Sequence, residues 1–467
     1  MAGDPHGGLL DRTLANLFRA WSDLSGTTRY HVSGRLRADL PDEDRARVRS
    51  EMEACVAAVG DAATNRARAA ELGRRYLELD RTGRIRFLLE LATGFDRDRD
   101  AVDRALAELG ACGGDALARR EAEQSLHSAL EPRWRVLLRQ FTTLPEGMKF
   151  LVDLRAEMLE AQGEHPEIRF LADDLRTLLS HWFDLGLLDL RRIDWASPAR
   201  LLEKLIAYEA VHEIRSWEDL KNRLDSDRRC FAFLHPTMPD EPLIFVEVAL
   251  VNGMAASVDE LLDETAPAVD PRTADTAVFY SISNAQRGLD GISFGNFLIR
   301  HVVGVLEQEL PNLRSFATLS PIPGLSRWVR RQVSEAGTEL LTASERRALP
   351  IGDVGLPDLL ARLEQGDGAM ETALREPLTR LAARYLTSAR RRGNRAHDPV
   401  AHFHLSNGAR VERLNWMGDR SVRGRTQSWG LMVNYLYRTG DIAVNSAGYA
   451  TDGRIAASQA IRSLARD

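Results

Sequence analysis

The stretch Phe279-Tyr-Ser-Ile-Ser-Asn-Ala-Gln-Arg-Gly-Leu-Asp-Gly-Ile-Ser-Phe-Gly295 changes texture twice. Its opening is apolar and β-prone, so a strand is predicted over Ala277 to Ser283. A polar, glycine-containing loop follows, and from about Phe294 to Leu310 apolar residues return at helical spacing. A strand feeding a helix through a glycine loop is the building unit of a mixed α/β domain. Glycines let backbone N–H groups approach a phosphate, a helix N-terminus adds partial positive charge and Arg287 adds a full one. Gln286, Arg287, Gly288, Leu289, Asp290, Gly291 and Ile292 are therefore candidates for holding a diphosphate, with an ordinary tight turn as the plain alternative.

Downstream, Leu313 to Leu319 reads as the returning strand and ends on Ser320-Pro-Ile-Pro-Gly324. Two prolines stiffen that segment, so the Ser320 hydroxyl would be held at a fixed point at a sheet edge; an N-cap for a helix from Leu325 to Arg331 is the alternative. About 340 to 392 is polar and helix-prone, a helical insertion. Asp398-Pro399-Val-Ala-His-Phe-His404-Leu-Ser-Asn-Gly408 reads as a short helix with proline at its start and Asn407-Gly408 as its stop. His402 and His404 then face different sides and should not share a task. With His397 they suggest a metal set, but no i, i+4 histidine pair with a nearby glutamate is present. Arg410 to Trp416 and Leu431 to Tyr437 are further strands, and Tyr435 and Tyr437 fall on one face of the second.

Upstream, Cys230 to Leu234 and Leu243 to Val251 predict a hairpin through the Pro-rich turn 235–240. Ser216-Trp-Glu-Asp219 is a capping-box pattern, and Ser197-Pro198 reads as N-cap and N1 of a connecting helix. Before that the periodicity is helical throughout, as in the stripes Leu10, Leu14, Leu17, Phe18, Trp21 and Leu126, Leu130, Trp134, Leu137, Leu138, Phe141. The fold class is thus α+β: an all-helical bundle over 1–190, concerned with assembly, and a mixed α/β domain over 191–467.

Net charge is -6 over 467 residues and no apolar run approaches the ~20 residues of a membrane span, which argues against nucleic-acid and membrane partners. Cys55, Cys112 and Cys230 are odd in number and far apart, neither a metal knuckle nor a disulfide framework, so a cytoplasmic location is expected. The ends carry neither a secretory leader nor a Ser-Lys-Leu address. Met148-Lys149 lies in a helix-forming stretch, unlike a biotinylation hairpin, and no Walker loop, dinucleotide fingerprint or GxSxG elbow occurs.

Taken together, Ser281-Ile-Ser-Asn-Ala-Gln-Arg-Gly-Leu-Asp-Gly291, Leu319-Ser-Pro-Ile-Pro-Gly324, Pro399-Val-Ala-His-Phe-His-Leu-Ser-Asn-Gly-Ala409, Leu414-Asn-Trp-Met417 and Gly430-Leu-Met-Val-Asn-Tyr435 resemble the malonyl-CoA decarboxylase family, with Ser180-His-Trp-Phe183 just upstream. The resemblance implies a GNAT-like (acetyltransferase) catalytic domain after the helical one, coenzyme A on the loop Gln286–Ile292, and a homo-oligomer, commonly a tetramer. It places the catalytic serine on Ser320 and the catalytic histidine on His404. The spacing of Gly288 and Gly291 departs from the wider acetyltransferase pattern.

The implied reaction turns malonyl-CoA into acetyl-CoA and CO2 without metal, biotin or pyridoxal phosphate, the CoA being carried by the substrate. Ser320 would orient the malonyl group and His404 protonate the enolate, histidine suiting this through a usual pKa of ~6.5. Tyr437 is a candidate for a supporting role. An acyl-CoA-dependent N-acetyltransferase and a non-catalytic CoA-thioester sensor are the alternatives.

Overall fold

A computed structural model describes residues 17, 20, 21, 35–58, 60–292, 295–349 and 355–466. Of the first predicted stripe, Leu17 and Trp21 fall within the described residues and both are buried; Leu10, Leu14 and Phe18 fall outside them, as does Phe294. The chain folds as two units, one comprising residues up to 189 with 234–243 and 285–292, the other 190–233, 244–284 and 293–467.

The first unit is helical: α1 Asp42–Ala57, α2 Ala62–Glu78, α3 Arg81–Gly94, α4 Arg99–Ala111, α5 Ala116–Ala129, α6 Arg133–Phe141, α7 Gly147–Ala161 and α8 Pro166–Trp182. Aspartates start four of these, the side chains of Asp61, Asp80, Asp98 and Asp115 each accepting an orphan amide of the first turn. An aromatic cluster fills the centre, with Phe150 at 4.9 Å from Trp21 and 4.8 Å from Phe141, and Tyr76 at 4.9 Å from Phe87. The hairpin of α4 and α5 differs. These two helices pair with each other but bury only Ala105 and Ala122, and leave Leu106 and Leu117 exposed.

The strands are β1 Asp189–Ile193, β2 Arg228–His235, β3 Met238–Val251, β4 Thr276–Asn284, β5 Ser315–Thr318 and β6 Ser320–Pro321, with β9 Arg410–Asn415 and β10 Met432–Tyr437; β7 Arg390–Arg391 and β8 Arg395–Ala396 form a small separate ribbon. The main sheet runs β1-β2-β3-β4-β5-β10-β6, with β9 also on β10. β4 and β5 are parallel, joined by the helix Gly295–Glu309, while β3 with β4 and the pairs to β10 are antiparallel. Among the described residues four helices follow, Ala343–Ala348, Leu356–Glu364, Gly368–Ala373 and Arg375–Ser388, and His404 stands on a helix over Pro399–Ser406.

Two local readings are corrected. The hairpin turn is shorter than 235–240, because β3 already begins at Met238 and takes in Pro239 and Pro242; the turn is closed by a hydrogen bond between His235 Nδ1 and Thr237 Oγ1 at 2.7 Å. Ser197 does not cap the helix after it. That helix runs Ala199–Tyr208 with Pro198 in the cap position, and the Ser197 hydroxyl instead accepts from the Asp194 amide. Ser216 does cap, accepting from the Asp219 amide, but the Asp219 carboxylate returns to the amide of Arg215.

Candidate functional site

Backbone pairing explains why Ser320 is where it is. β4 and β5 pair only as far as Phe279 and Thr318, after which β4 continues to Asn284 while the chain beyond β5, already paired with Leu436 and Tyr437 of β10, stays on β10 as β6 opposite Met432 and Val433. The strands β4 and β5 part at their carboxyl ends, the place where open α/β sheets take ligands. The parting is held by Asn434, fully buried at a bulge in β10. Its amide donates to Thr318 O at 2.8 Å and Ala255 O at 3.0 Å, and its oxygen accepts from Asn415 Nδ2 and Arg413 Nε at 2.8 and 3.1 Å.

His404 is delivered by its helix. Asp398 caps that helix, one carboxylate oxygen accepting from the amides of Val400 and Ala401 at 3.0 Å, with Pro399 at the first position. The other oxygen accepts from the Gly324 amide and the Tyr385 hydroxyl, both at 3.3 Å. One buried carboxylate therefore ties the loop after Ser320 to the helix that carries His404. Gly324 is required there, since a Cβ would lie 2.1 Å from the Tyr385 oxygen.

The result is a buried pair: Ser320 Oγ lies 3.1 Å from His404 Nε2, and His404 Nδ1 lies 2.8 Å from the Tyr437 hydroxyl. Ser320 also donates to Thr318 Oγ1 at 2.8 Å, and the Tyr435 ring stacks on the imidazole at 4.5 Å. Both tyrosines of β10 thus reach His404. Burial pushes the imidazole down to about 3, so the ring is neutral at physiological pH. This corrects the expectation of a histidine titrating near its usual value.

The three histidines separate, each to its own tyrosine. His402 Nδ1 meets the Tyr449 hydroxyl at 2.8 Å and is pushed down to about 4, by burial first and then by Arg391 and Arg395. His397 Nδ1 meets Tyr385 at 3.3 Å. Among the described residues no three His, Cys, Asp or Glu side chains come together as a metal set.

The loop predicted to hold a diphosphate groups with the helical unit. Gln286 is buried and donates to Pro242 O at 3.0 Å; Arg287–Leu289 is a single 3-10 turn. Gly288 presses on α7, where a Cβ would lie 1.7 Å from Val152 O, and its own carbonyl accepts from Arg155 at 2.5 Å. Arg287 projects outward, 71% exposed, and pairs with Glu160 at 2.8 Å. Burial raises the Asp290 carboxyl, against the pull of Arg155 and Arg287, and Gly291 adopts a left-handed φ of 79° before Ile292.

A second polar cluster was missed from the sequence. Arg223, wholly buried, donates to Asp219 at 2.7 Å, to Glu247 at 3.1 Å and to the carbonyls of His212 and Glu213 at 2.8 and 3.0 Å. Burial, and after it the charge of Glu209, push Glu247 up to about 8. Burial works against the Arg223 cation as well, but Glu247 and Asp219 outweigh it and hold it charged. The sequence signal was a lone glutamate inside the apolar run Leu243 to Val251.

Comparison with known proteins gives a consistent result along the chain. The family model for the malonyl-CoA decarboxylase C-terminal domain matches residues 186–467, and that for the N-terminal domain matches residues 95–183. Among solved structures, malonyl-CoA decarboxylase from Rhodopseudomonas palustris is 42% identical with a TM-score of 0.82, covering 90% of this chain and 99% of that one. That from Agrobacterium vitis is also 42% identical, with a TM-score of 0.81 and the same coverage. The mitochondrial malonyl-CoA decarboxylase of Rattus norvegicus is 39% identical over 401 residues, 82% of this chain and 81% of that protein.

Proposed function

The chain belongs to the malonyl-CoA decarboxylase family, and from that premise we propose that it converts malonyl-CoA to acetyl-CoA and CO2 at Ser320 and His404. The observation that carries the site is the buried contact of 3.1 Å between Ser320 Oγ and His404 Nε2 at the parting of β4 and β5. An oxyanion entering at that junction draws a hydrogen bond from each partner, taking up the Ser320 hydrogen that in the free protein points at Thr318 Oγ1. Ser320 and His404 then hold the malonyl group with its C–C bond perpendicular to the thioester plane.

The C–C electron pair passes into the thioester as CO2 departs, leaving an enolate, and one proton on the α-carbon completes acetyl-CoA. His404 supplies that proton from a neutral ring. A thioester enolate is a much stronger base than imidazolate, so neutral imidazole suffices as the acid, as in other enzymes that hold histidine neutral. Tyr437, hydrogen-bonded to Nδ1, stabilises the ring as its proton leaves. No metal, biotin or pyridoxal group enters this chemistry.

Incubating the purified protein with malonyl-CoA alone, without biotin, metal or amine, should release CO2 and acetyl-CoA in equal amounts. Acetyl transfer that appears only when an amine is added would make it an N-acetyltransferase, and binding without turnover a sensor.

Coenzyme binding falls to the loop Gln286–Ile292, supported by the outward Arg287. A phosphate contact is equal in ground and transition states, so Arg287→Ala should raise KM with kcat within about threefold. Steady-state kinetics check this, and unchanged KM with collapsed kcat would move Arg287 to the reacting carbon.

The helical unit serves assembly, as a homotetramer, and the location is cytoplasmic. Support for assembly comes from α4 and α5, whose Leu106 and Leu117 remain exposed. Sedimentation of L106E/L117E should show a smaller assembly than the parent chain; an unchanged mass would exclude this hairpin as the contact. Three free cysteines fit a reducing compartment, and no described helix is long and apolar enough to cross a membrane.

A further inference from the structure

We propose that Thr318 is a positioning residue that sets the direction of the hydrogen bonds through the Ser320–His404 pair and so decides which imidazole nitrogen carries the proton. The kinetic part rests on the decarboxylase reading; the assignment of the proton does not.

Thr318 is fully buried at the end of β5. Its Oγ1 accepts from the Ser320 hydroxyl at 2.8 Å and from the Tyr435 backbone N–H at 3.2 Å. In the free protein the Ser320 hydrogen is therefore spent on Thr318, whose two lone pairs are both filled by these incoming donors. Ser320 Oγ can then meet His404 Nε2 only as an acceptor, which requires the proton on Nε2. In a neutral ring Nδ1 is then bare and accepts from the Tyr437 O–H at 2.8 Å.

The far end enforces the same order. Tyr437 is buried, and among the described residues its hydroxyl has His404 Nδ1 as its partner. Were Nδ1 to carry the proton, the Tyr437 hydrogen would be left buried and unpaired, an arrangement that folded proteins avoid. The chain of donors therefore runs from Tyr437 to His404 to Ser320 to Thr318. Its consequence is chemical: the mobile proton of the neutral ring sits on the nitrogen that faces Ser320, where the malonyl group is held. An active-site hydroxyl that donated to the histidine, as a nucleophile does, would leave that nitrogen bare and unable to protonate anything.

The test is 15N NMR of histidine-labelled protein, with His404 assigned by its loss in His404→Asn. The free wild-type protein should show a protonated Nε2 and a bare Nδ1. Thr318→Val keeps the shape but removes the acceptor; the Ser320 hydroxyl should turn to Nε2 and the ring proton move to Nδ1. With that change kcat should fall on the order of 100-fold with KM within about threefold, since a wrong tautomer disables an otherwise intact site. Thr318→Ser restores the acceptor and should restore both the nitrogen pattern and kcat. A wild-type ring protonated on Nδ1 overturns the proposal without any variant, and so does a Thr318→Val protein whose ring keeps its proton on Nε2. If wild type shows the Nε2–H ring yet releases no CO2 from malonyl-CoA, the decarboxylase reading fails and the role of Thr318 in the ring stands.

Discussion

His404→Asn should lower kcat by a factor on the order of 100 to 10,000 and leave the dissociation constant for malonyl-CoA within about threefold of the parent value. Asparagine keeps a polar side chain beside Ser320 but has no acid that can protonate an enolate. His402→Asn, two residues away, should retain most activity and lose stability, because its ring meets Tyr449 and takes no part in the Ser320 pair. Single-turnover CO2 release and equilibrium binding on both variants decide it: a near-normal His404 variant beside a folded but inactive His402 variant reverses the roles.

Acid behaviour gives a second readout on the same variants. The folded His404 ring is held down to about 3, below the usual value of ~6.5. As pH falls from about 6.5 toward 3, the unfolded chain takes up a proton that the folded ring refuses. The contribution to stability is thus present above pH 6.5 and lost on acidification. The unfolding midpoint of His404→Asn should fall less steeply than that of wild type over this range. A neutral donor also predicts no alkaline loss of activity through an imidazolium: kcat/KM at pH 8.5 should lie within about threefold of its value at pH 7. A tenfold drop per pH unit would require a protonated ring.

Arg223→Met should be the most destabilising single change in the second unit, at about 3–5 kcal/mol. The guanidinium is fully buried and joins Asp219, Glu247 and the carbonyls of His212 and Glu213. Methionine matches much of its length but takes the guanidinium donors away from both carboxyl groups and both carbonyls, while the Asp219 carboxylate keeps the Arg215 amide. The triple change Arg223→Met, Asp219→Leu, Glu247→Leu should recover much of the loss, since apolar groups of similar size often replace a buried ionic cluster with little penalty. Chemical denaturation measures both. A single variant within 1 kcal/mol of wild type would mean that water reaches the cluster.

Features governed by neighbours in the chain were legible in the sequence. The helix of Pro399–Ser406 was read nearly to the residue because its cap, its proline and its Asn-Gly stop are all local signals. The strand over 276–284 and the loop after it were legible for the same reason. Ser197 shows where local pattern misleads: a serine before a proline looks like a cap, but its hydroxyl had a better partner in the tight turn at Asp194. Prolines 236 and 239 suggested a long turn, but Pro239 lies within β3, since a strand accommodates proline wherever its N–H is not needed for the ladder.

What stayed hidden was set by pairing across the chain. Ser320 and His404 came to notice through the family motifs, but Thr318 does not appear in any pattern. It matters because β5 hands over to β6 against β10, 116 and 117 residues away in sequence from Asn434 and Tyr435. Arg223 and Glu247 were passed over for a related reason. A charged residue announces itself as exposed until its partner is known, and here one partner sits on the helix Trp217–Arg223 and the other on β3.

Asn434 has a consequence in time. All four of its side-chain hydrogen-bonding positions are taken, by two carbonyls on one side and two donors on the other, with no water needed to complete them. Opening the sheet at this point breaks all four together with the Tyr435 amide bond to Thr318, so partial opening has no halfway state that retains most of them. Amide hydrogens along this part of β10 therefore exchange with solvent only when the whole unit unfolds. The Ser320 hydroxyl is thereby tied to the unfolding of this part of the sheet, and heat should remove activity and structure in a single step.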